Sequence, residues 1–311
     1  VALVAPAGPT PPVQLERAGS LLEGWGLTPV VYPSATALHP RATYLSGADE
    51  VRAADLFDAW CDPGIAGIFC LRGGYRTVRL LDRLDVERMR AAGPTQVYGS
   101  SDVTALHEWL RERLGVATWF TPMIGTLSLL DDEVAVSSLR AAVLDPFAGQ
   151  RLRGEGLAVG TARGTLIGGN LSLLAMTLGA RDRVVDNTDT IALIEDIGED
   201  TYRIDGYLHA LLRSGWFDGV RGVALGSWLD CGPLEEIRAL CAEVLEPLGV
   251  PVAWELGFGH GVGSQSVPLG VPATFVVDDR EVALSVDGDR GGSAPRGADP
   301  PPSGRHSPST V

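Results

Sequence analysis

Three stretches of the chain combine residue types that could carry out nucleophilic catalysis. "VYGSSDVTAL" (97–106) sets Ser100 and Ser101 between an apolar run and a helical pattern. "TIALIEDIGED" (190–200) ends an apolar run in Glu195 and Asp196, and "ELGFGHGVGSQSVPLG" (255–270) holds His260 among four glycines within seven residues. A serine nucleophile needs a base to take its proton, and the base needs an acid to orient it. Ser101 falls at the apex of a strand–turn–helix layout, the setting of a nucleophile elbow, although Val103 stands where the second glycine of G-x-S-x-G belongs. A plain helix N-cap is the competing reading, because Ser and Asp are both favoured there. In the elbow reading the backbone N–H of Asp102 faces an acyl oxygen, and Gly73 or Gly74 of "FCLRGGYR" (69–76) supplies the second oxyanion donor. Arg72 and Arg76 flank those glycines as candidate anchors for an anionic substrate, with a surface role the alternative for Arg72.

The chain has five histidines, so the base can be sought by elimination. His306 lies in a Pro/Gly/Ser-rich tail, His39 in a Pro-flanked loop, His107 on the apolar stripe of a helix, and His209 beside a buried helical face. His260 remains, and a purely structural loop histidine is the other reading of it. Glu195 and Asp196 end a strand, where a carboxylate can face a site; with Glu199 and Asp200 they read equally as a solvated acidic turn. The order Ser101, Glu195, His260 is that of many hydrolases, but geometry rather than order defines a triad.

Composition narrows the classes. All 25 basic residues are Arg, against 39 acidic ones, for a net charge of −14. Nucleic acids and anionic membranes are therefore poor partners, and without lysine there is no Walker-type, Schiff-base or Ser–Lys chemistry. The four cysteines (Cys61, Cys70, Cys231, Cys241) fit neither a CxxC pattern nor a disulfide framework and are expected to be reduced, buried and structural. No run is long enough to span a membrane and no signal region precedes the fold, so a cytoplasmic location is expected, although the chain opens on "VALVAPAG" without Met.

The elements that must position these residues read as two domains. In 1–144, strand candidates at 1–8, 29–33, 64–74, 95–100 and 117–123 alternate with helical patterns near 46–61, 76–92, 102–114 and 131–144. That alternation implies a parallel sheet covered on both faces. A linker at 145–154 leads to a smaller α+β domain at 155–286, with helices from about Tyr202 to Arg213 and from Pro233 to just before Gly249, and a closing hairpin at 272–286. Residues 287–311 read as a disordered tail.

Together these residues resemble the LD-carboxypeptidase family of serine peptidases, which includes the microcin C immunity peptidases. The marks are "LRGGYR" (71–76), "GSSDVTALH" (99–107), "LIGGNLSLL" (166–174), "LIEDIGEDTYRID" (193–205) and "GFGHGVGSQSVPLG" (257–270), in the family's order. The resemblance implies a Rossmann-like N-terminal domain, a barrel-like C-terminal domain, no metal or other cofactor, and a homodimer. It places the nucleophile on Ser101, the acid on Glu195, the base on His260, and the oxyanion donors on the backbone of Asp102 and the Gly73–Gly74 turn. Five positions in four motifs depart from the family pattern: Ser100 replaces an aromatic residue, Arg76 the last glycine of "GGYG", Phe120 and Thr121 the first two residues of "HGPM" (here Phe120-Thr121-Pro122-Met123), and Gly206 the last residue of "IDR" (here Ile204-Asp205-Gly206). Ser100 therefore joins Arg72 and Arg76 as a candidate substrate contact.

The implied function is cleavage of an amide next to a terminal carboxylate, with release of D-Ala from a muropeptide as the first expectation. The second is hydrolysis of an aminoacyl-nucleotide-like toxin, which requires an aromatic platform for a base; Trp119 and Trp228 fall near strand ends. A non-catalytic binding protein on the same scaffold is the third.

Overall fold

The computed structural model describes residues 1–146, 148–180, 186–278 and 280–286; the expected disordered tail lies outside these. The first half forms parallel strands β1 (Ala2–Val4), β2 (Val30–Val31), β3 (Gly67–Cys70), β4 (Gln96–Gly99) and β5 (Thr118–Phe120). They lie in the order β5-β4-β3-β1-β2. Helices cover both faces, as buried, continuously apolar parallel strands require. The pattern at 76–92 resolves into two short helices, Val78–Leu81 and Val86–Ala92, because Asp85 caps the second through Arg88 N.

The second half builds β6 (Gln150–Arg153), β7 (Glu155–Ala158), β8 (Gly160–Asn170), β9 (Thr190–Ile197), β10 (Val220–Leu229), β11 (Val252–Trp254), β12 (Val267–Leu269), β13 (Pro272–Val277) and β14 (Val282–Val286). All but β12 form one mixed sheet, in the order β6-β14-β13-β8-β9-β10-β11-β7. Its two edge strands, β6 and β7, are separated in the chain by Gly154 alone, so the sheet must curl until its edges meet. That is the barrel-like form. One face of the curl encloses Leu166, Ile191, Leu193, Phe258 and Phe275. The other packs Ala192, Ile194 and Val223 against the helices Leu171–Thr177, Thr201–Arg213 and Leu234–Leu245.

Two strands depart from the sequence expectation. β10 was expected only as a strand end near Trp228, without bounds; it runs ten residues between β9 and β11, third from one edge of the second sheet. β12 falls in the stretch expected to be the histidine loop, and pairs antiparallel with β5, joining the first sheet. Val267 and Leu269 of β12 and Phe120 of β5 belong to the core inside the curl. The two sheets therefore share buried apolar surface, which fixes their relative position and hence the cleft between them.

Candidate active site

The expected elbow is present. β4 ends at Gly99, a single 3₁₀ turn spans Ser101–Val103, and the helix Thr104–Leu114 follows. Ser100 is extended (φ −150°) and Ser101 is left-handed, with φ +57°, a region sparsely used by residues with a β-carbon. Val103 is compatible with the tight turn because Gly99 yields the space: a β-carbon on Gly99 would lie 3.2 Å from Val103 Cγ1. Gly73 makes the complementary approach from the neighbouring loop. A β-carbon there would lie 2.6 Å from Ser101 Cβ and 2.7 Å from Ser101 Oγ, so only glycine lets this backbone reach the serine.

Asp102 does more than its position in the turn suggested. Its buried carboxylate accepts from Arg76 N at 2.9 Å and from both Thr77 N and Thr77 Oγ1 at 2.6 Å. The Gly73–Gly74 loop is thereby stapled to the elbow, and Gly8 N adds a 3.1 Å bond to Gly73 O.

The second sheet contributes the opposite wall. Strand alternation sends Glu195 to the face of Ile191 and Leu193, and Asp196 to the face of Ala192 and Ile194. Glu195 is fully buried, and its Oε2 lies 2.6 Å from His260 Nδ1. Asn170, its register partner at the end of β8, donates through Nδ2 to Glu195 Oε1 at 3.3 Å and to Asp196 Oδ1 at 2.8 Å. Its backbone N–H bonds Thr104 Oγ1 at 3.0 Å, which ties this acid pair to the helix that follows Ser101. Ser227 Oγ accepts from both His260 N and Gly261 N at 2.8 Å and so fixes the histidine loop.

The titrations follow from this burial. Desolvation acts to lower the His260 pKa, but the adjoining Glu195, by charge and hydrogen bond, together with Asp196, carries it above the ordinary imidazole value. Burial, and then the Glu195 charge, push Asp196 up to about 7 against three hydrogen bonds that favour its ionised form. His107 goes the other way: burial lowers it to about 4, and its Nε2–H donates to Gly99 O at 2.9 Å beneath the elbow. It supports the turn from below and is held neutral.

A cleft of about 890 Å³ between the sheets is lined by Ser101, His260, Gly73, Gly74, Arg76 and Asp196, among others, within the range of small-ligand sites. Arg72, Ser100 and Asp102 line it too; Arg72 and Arg76 are exposed, while Ser100 is only 2% exposed. The structure thus brings the nominated nucleophile, base, oxyanion and anchor residues to one cleft, while the acid Glu195 lies behind His260. His209 sits at the surface paired to Asp205, and His39, in its Pro-flanked loop, accepts backbone N–H bonds from Arg41 and Ala42.

Three further expectations are corrected. Trp119 and Trp228 are core residues, buried and stacked on Tyr98 and Trp254 respectively, and do not line the cleft. All four cysteines are free, but Cys61 is only half-buried. Along the helix Thr104–Leu114 every residue from Thr104 to Leu110 is buried rather than a single stripe, because the helix contacts both the Leu171–Thr177 helix and β8. Asn170, Thr104 and Ser227 were not anticipated as site residues. Only Asn170 carried a local signal, as a polar cap opening the "LSLL" helix.

Comparison with known proteins decides the family. The sequence profile of the LD-carboxypeptidase N-terminal domain matches residues 1–121, and that of the LD-carboxypeptidase C-terminal domain matches 163–275. The chain belongs to the LD-carboxypeptidase family. Within it, a Streptomyces coelicolor protein named as a carboxypeptidase is 46% identical over 91% of this chain and 92% of its own length. The murein tetrapeptide carboxypeptidase of Pseudomonas aeruginosa is 32% identical over 88% of this chain and 92% of its own. Among solved structures, muramoyltetrapeptide carboxypeptidase from Oxalobacter formigenes superposes with a TM-score of 0.81 at 26% identity, covering 93% of this chain and 99% of that one. The microcin C7 self immunity protein MccF, solved with glutamyl sulfamoyl guanosine, shares the fold with a TM-score of 0.80 at 20% identity, over 92% of this chain and 95% of that one. This LD-carboxypeptidase family member is thus a carboxypeptidase of two-domain α/β fold. Among its described residues, no helix is long and apolar enough to cross a membrane.

Proposed function

We propose that the protein is a serine carboxypeptidase with a Ser101–His260–Glu195 triad that releases the C-terminal D-Ala of a murein tetrapeptide. The observation that carries this is the 2.6 Å pair of His260 Nδ1 and Glu195 Oε2, with His260 lining the same cleft as a left-handed Ser101. With Nδ1–H committed to the carboxylate, Nε2 is the free base. It takes the Ser101 proton as Oγ attacks the scissile carbonyl, and Glu195 stabilises the imidazolium that results. The backbone N–H of Asp102 and those of Gly73–Gly74 bind the developing oxyanion. His260 then returns the proton to the departing amine of D-Ala, leaving an acyl-enzyme. Water, deprotonated by the same histidine, hydrolyses the ester and restores Ser101.

The nucleotide-like substrate is the second reading: the candidate tryptophans are in the core, so a base platform would fall to the cleft tyrosines Tyr75 and Tyr207. One assay separates the two: D-Ala release from murein tetrapeptide against hydrolysis of aspartyl sulfamoyl adenosine. The tetrapeptide is expected to be cleaved, and hydrolysis of the sulfamate alone would overturn the assignment. The cytoplasmic location and the homodimer belong to the same proposal; light scattering on the purified chain tests the dimer.

A further inference from the structure

Ser101 is not the only cleft residue held in a left-handed conformation. Arg76 has φ +78°, a region natural to glycine and unfavourable for any residue with a β-carbon. The loop holds it there, because Asp102 binds Arg76 N and the Thr77 backbone and hydroxyl. Nothing in that hydrogen bonding uses the arginine side chain. The side chain is exposed, lines the cleft, and reaches toward the opposite wall, where Nη1 lies 3.8 Å from Met176 Sδ on the helix Leu171–Thr177. Its neighbours Arg79 and Arg83 are committed to Asp49 and Glu50 at 2.6 and 3.0 Å. Among the described residues Arg76 has no such ion pair. An arginine kept at a position that favours glycine, beside the oxyanion loop and without an acidic partner, is available to a ligand.

We propose that Arg76 is a specificity-determining residue whose guanidinium binds the free carboxylate flanking the scissile amide of the substrate. The proposal rests on the Ser101 reading above. A planar guanidinium matches a carboxylate in two parallel hydrogen bonds, and a chain of net charge −14 needs a local cation to hold an anionic ligand. Two other exposed guanidiniums line this cleft: Arg203, which pairs with Glu199 at 3.5 Å, and Arg72, which adds to the field without sharing the strained backbone.

The test compares two peptides identical except for a C-terminal carboxylate or carboxamide, using the parent, Arg76→Gly and Arg76→Gln. The parent is expected to prefer the carboxylate. In both variants that preference should collapse by about 10- to 100-fold, mainly through KM, as loss of a charge-assisted hydrogen bond implies. Because glycine relaxes the backbone, the melting midpoint of Arg76→Gly should be no lower than the parent's. An unchanged carboxylate preference in either folded variant overturns the proposal, as does equal loss on both peptides with a lowered midpoint, which would make Arg76 structural. Failure of the underlying reading looks different: Ser101→Ala would cut both peptides as fast as the parent.

Discussion

On one wall of the cleft Ser101 is placed by backbone: a left-handed residue at a strand end, pressed by Gly73 and stapled through Asp102. On the other wall His260 is placed by buried polar groups, with Glu195 on its ring, Ser227 on its main chain, and Asn170 behind the acid. The two solutions respond differently to damage. A position set by backbone survives truncation of its own side chain but not an added β-carbon nearby. A position set by buried hydrogen bonds leaves a desolvated charge when one partner is removed.

The largest effect should come from Ser101→Ala, which lowers kcat/KM for the peptide substrate by about 10⁴-fold or more while urea unfolding shows stability close to the parent's. His260→Ala should be comparably inactive but also less stable, by about 3 kcal/mol, because Glu195 is fully buried beneath it. Equal stabilities in the two variants would erase the contrast between the walls. Gly73→Ala should cost about 100-fold in kcat, since a methyl group 2.6 Å from Ser101 Cβ must displace either the serine or an oxyanion donor; steady-state kinetics on the folded variant reads this directly.

The smallest effect is a displaced pH profile. The base must be neutral to act, and the folded pKa of His260 is raised above 6.5 despite its burial, because of Glu195 and Asp196. Activity should therefore fall as pH drops through a value above 6.5, and in Glu195→Gln the residual activity should persist to lower pH. A profile of kcat/KM against pH checks both, and an unmoved acidic limb would show that Glu195 does not set the base.

How much of this was legible depended on the range of the interactions. Ser101 could be read from a local strand–turn–helix pattern, and His260 from the scarcity of histidines. The alternating strands and helices of the first sheet were equally local. The polar wall was less legible because its bonds join distant residues: Ser227 holds a loop 33 residues away, and Asn170 reaches acids 25 and 26 residues on. β12 was missed for the same reason, since its partner β5 lies far back in the chain. The side-chain role of Asp102 was hidden too, because it binds a loop 25 residues before it and a capping role sufficed to explain its presence. Trp228 misled because a strand end can turn inward as readily as toward a cleft.

In the proposed triad Ser101 is the nucleophile and depends on His260. Intact-mass and peptide-mapping analysis of the protein after reaction with a neutral fluorophosphonate tests it most directly. A single adduct on Ser101 is expected, none on Ser100, with labelling slowed at least about 100-fold in His260→Ala. An adduct on Ser100, or equal labelling with and without His260, would contradict it.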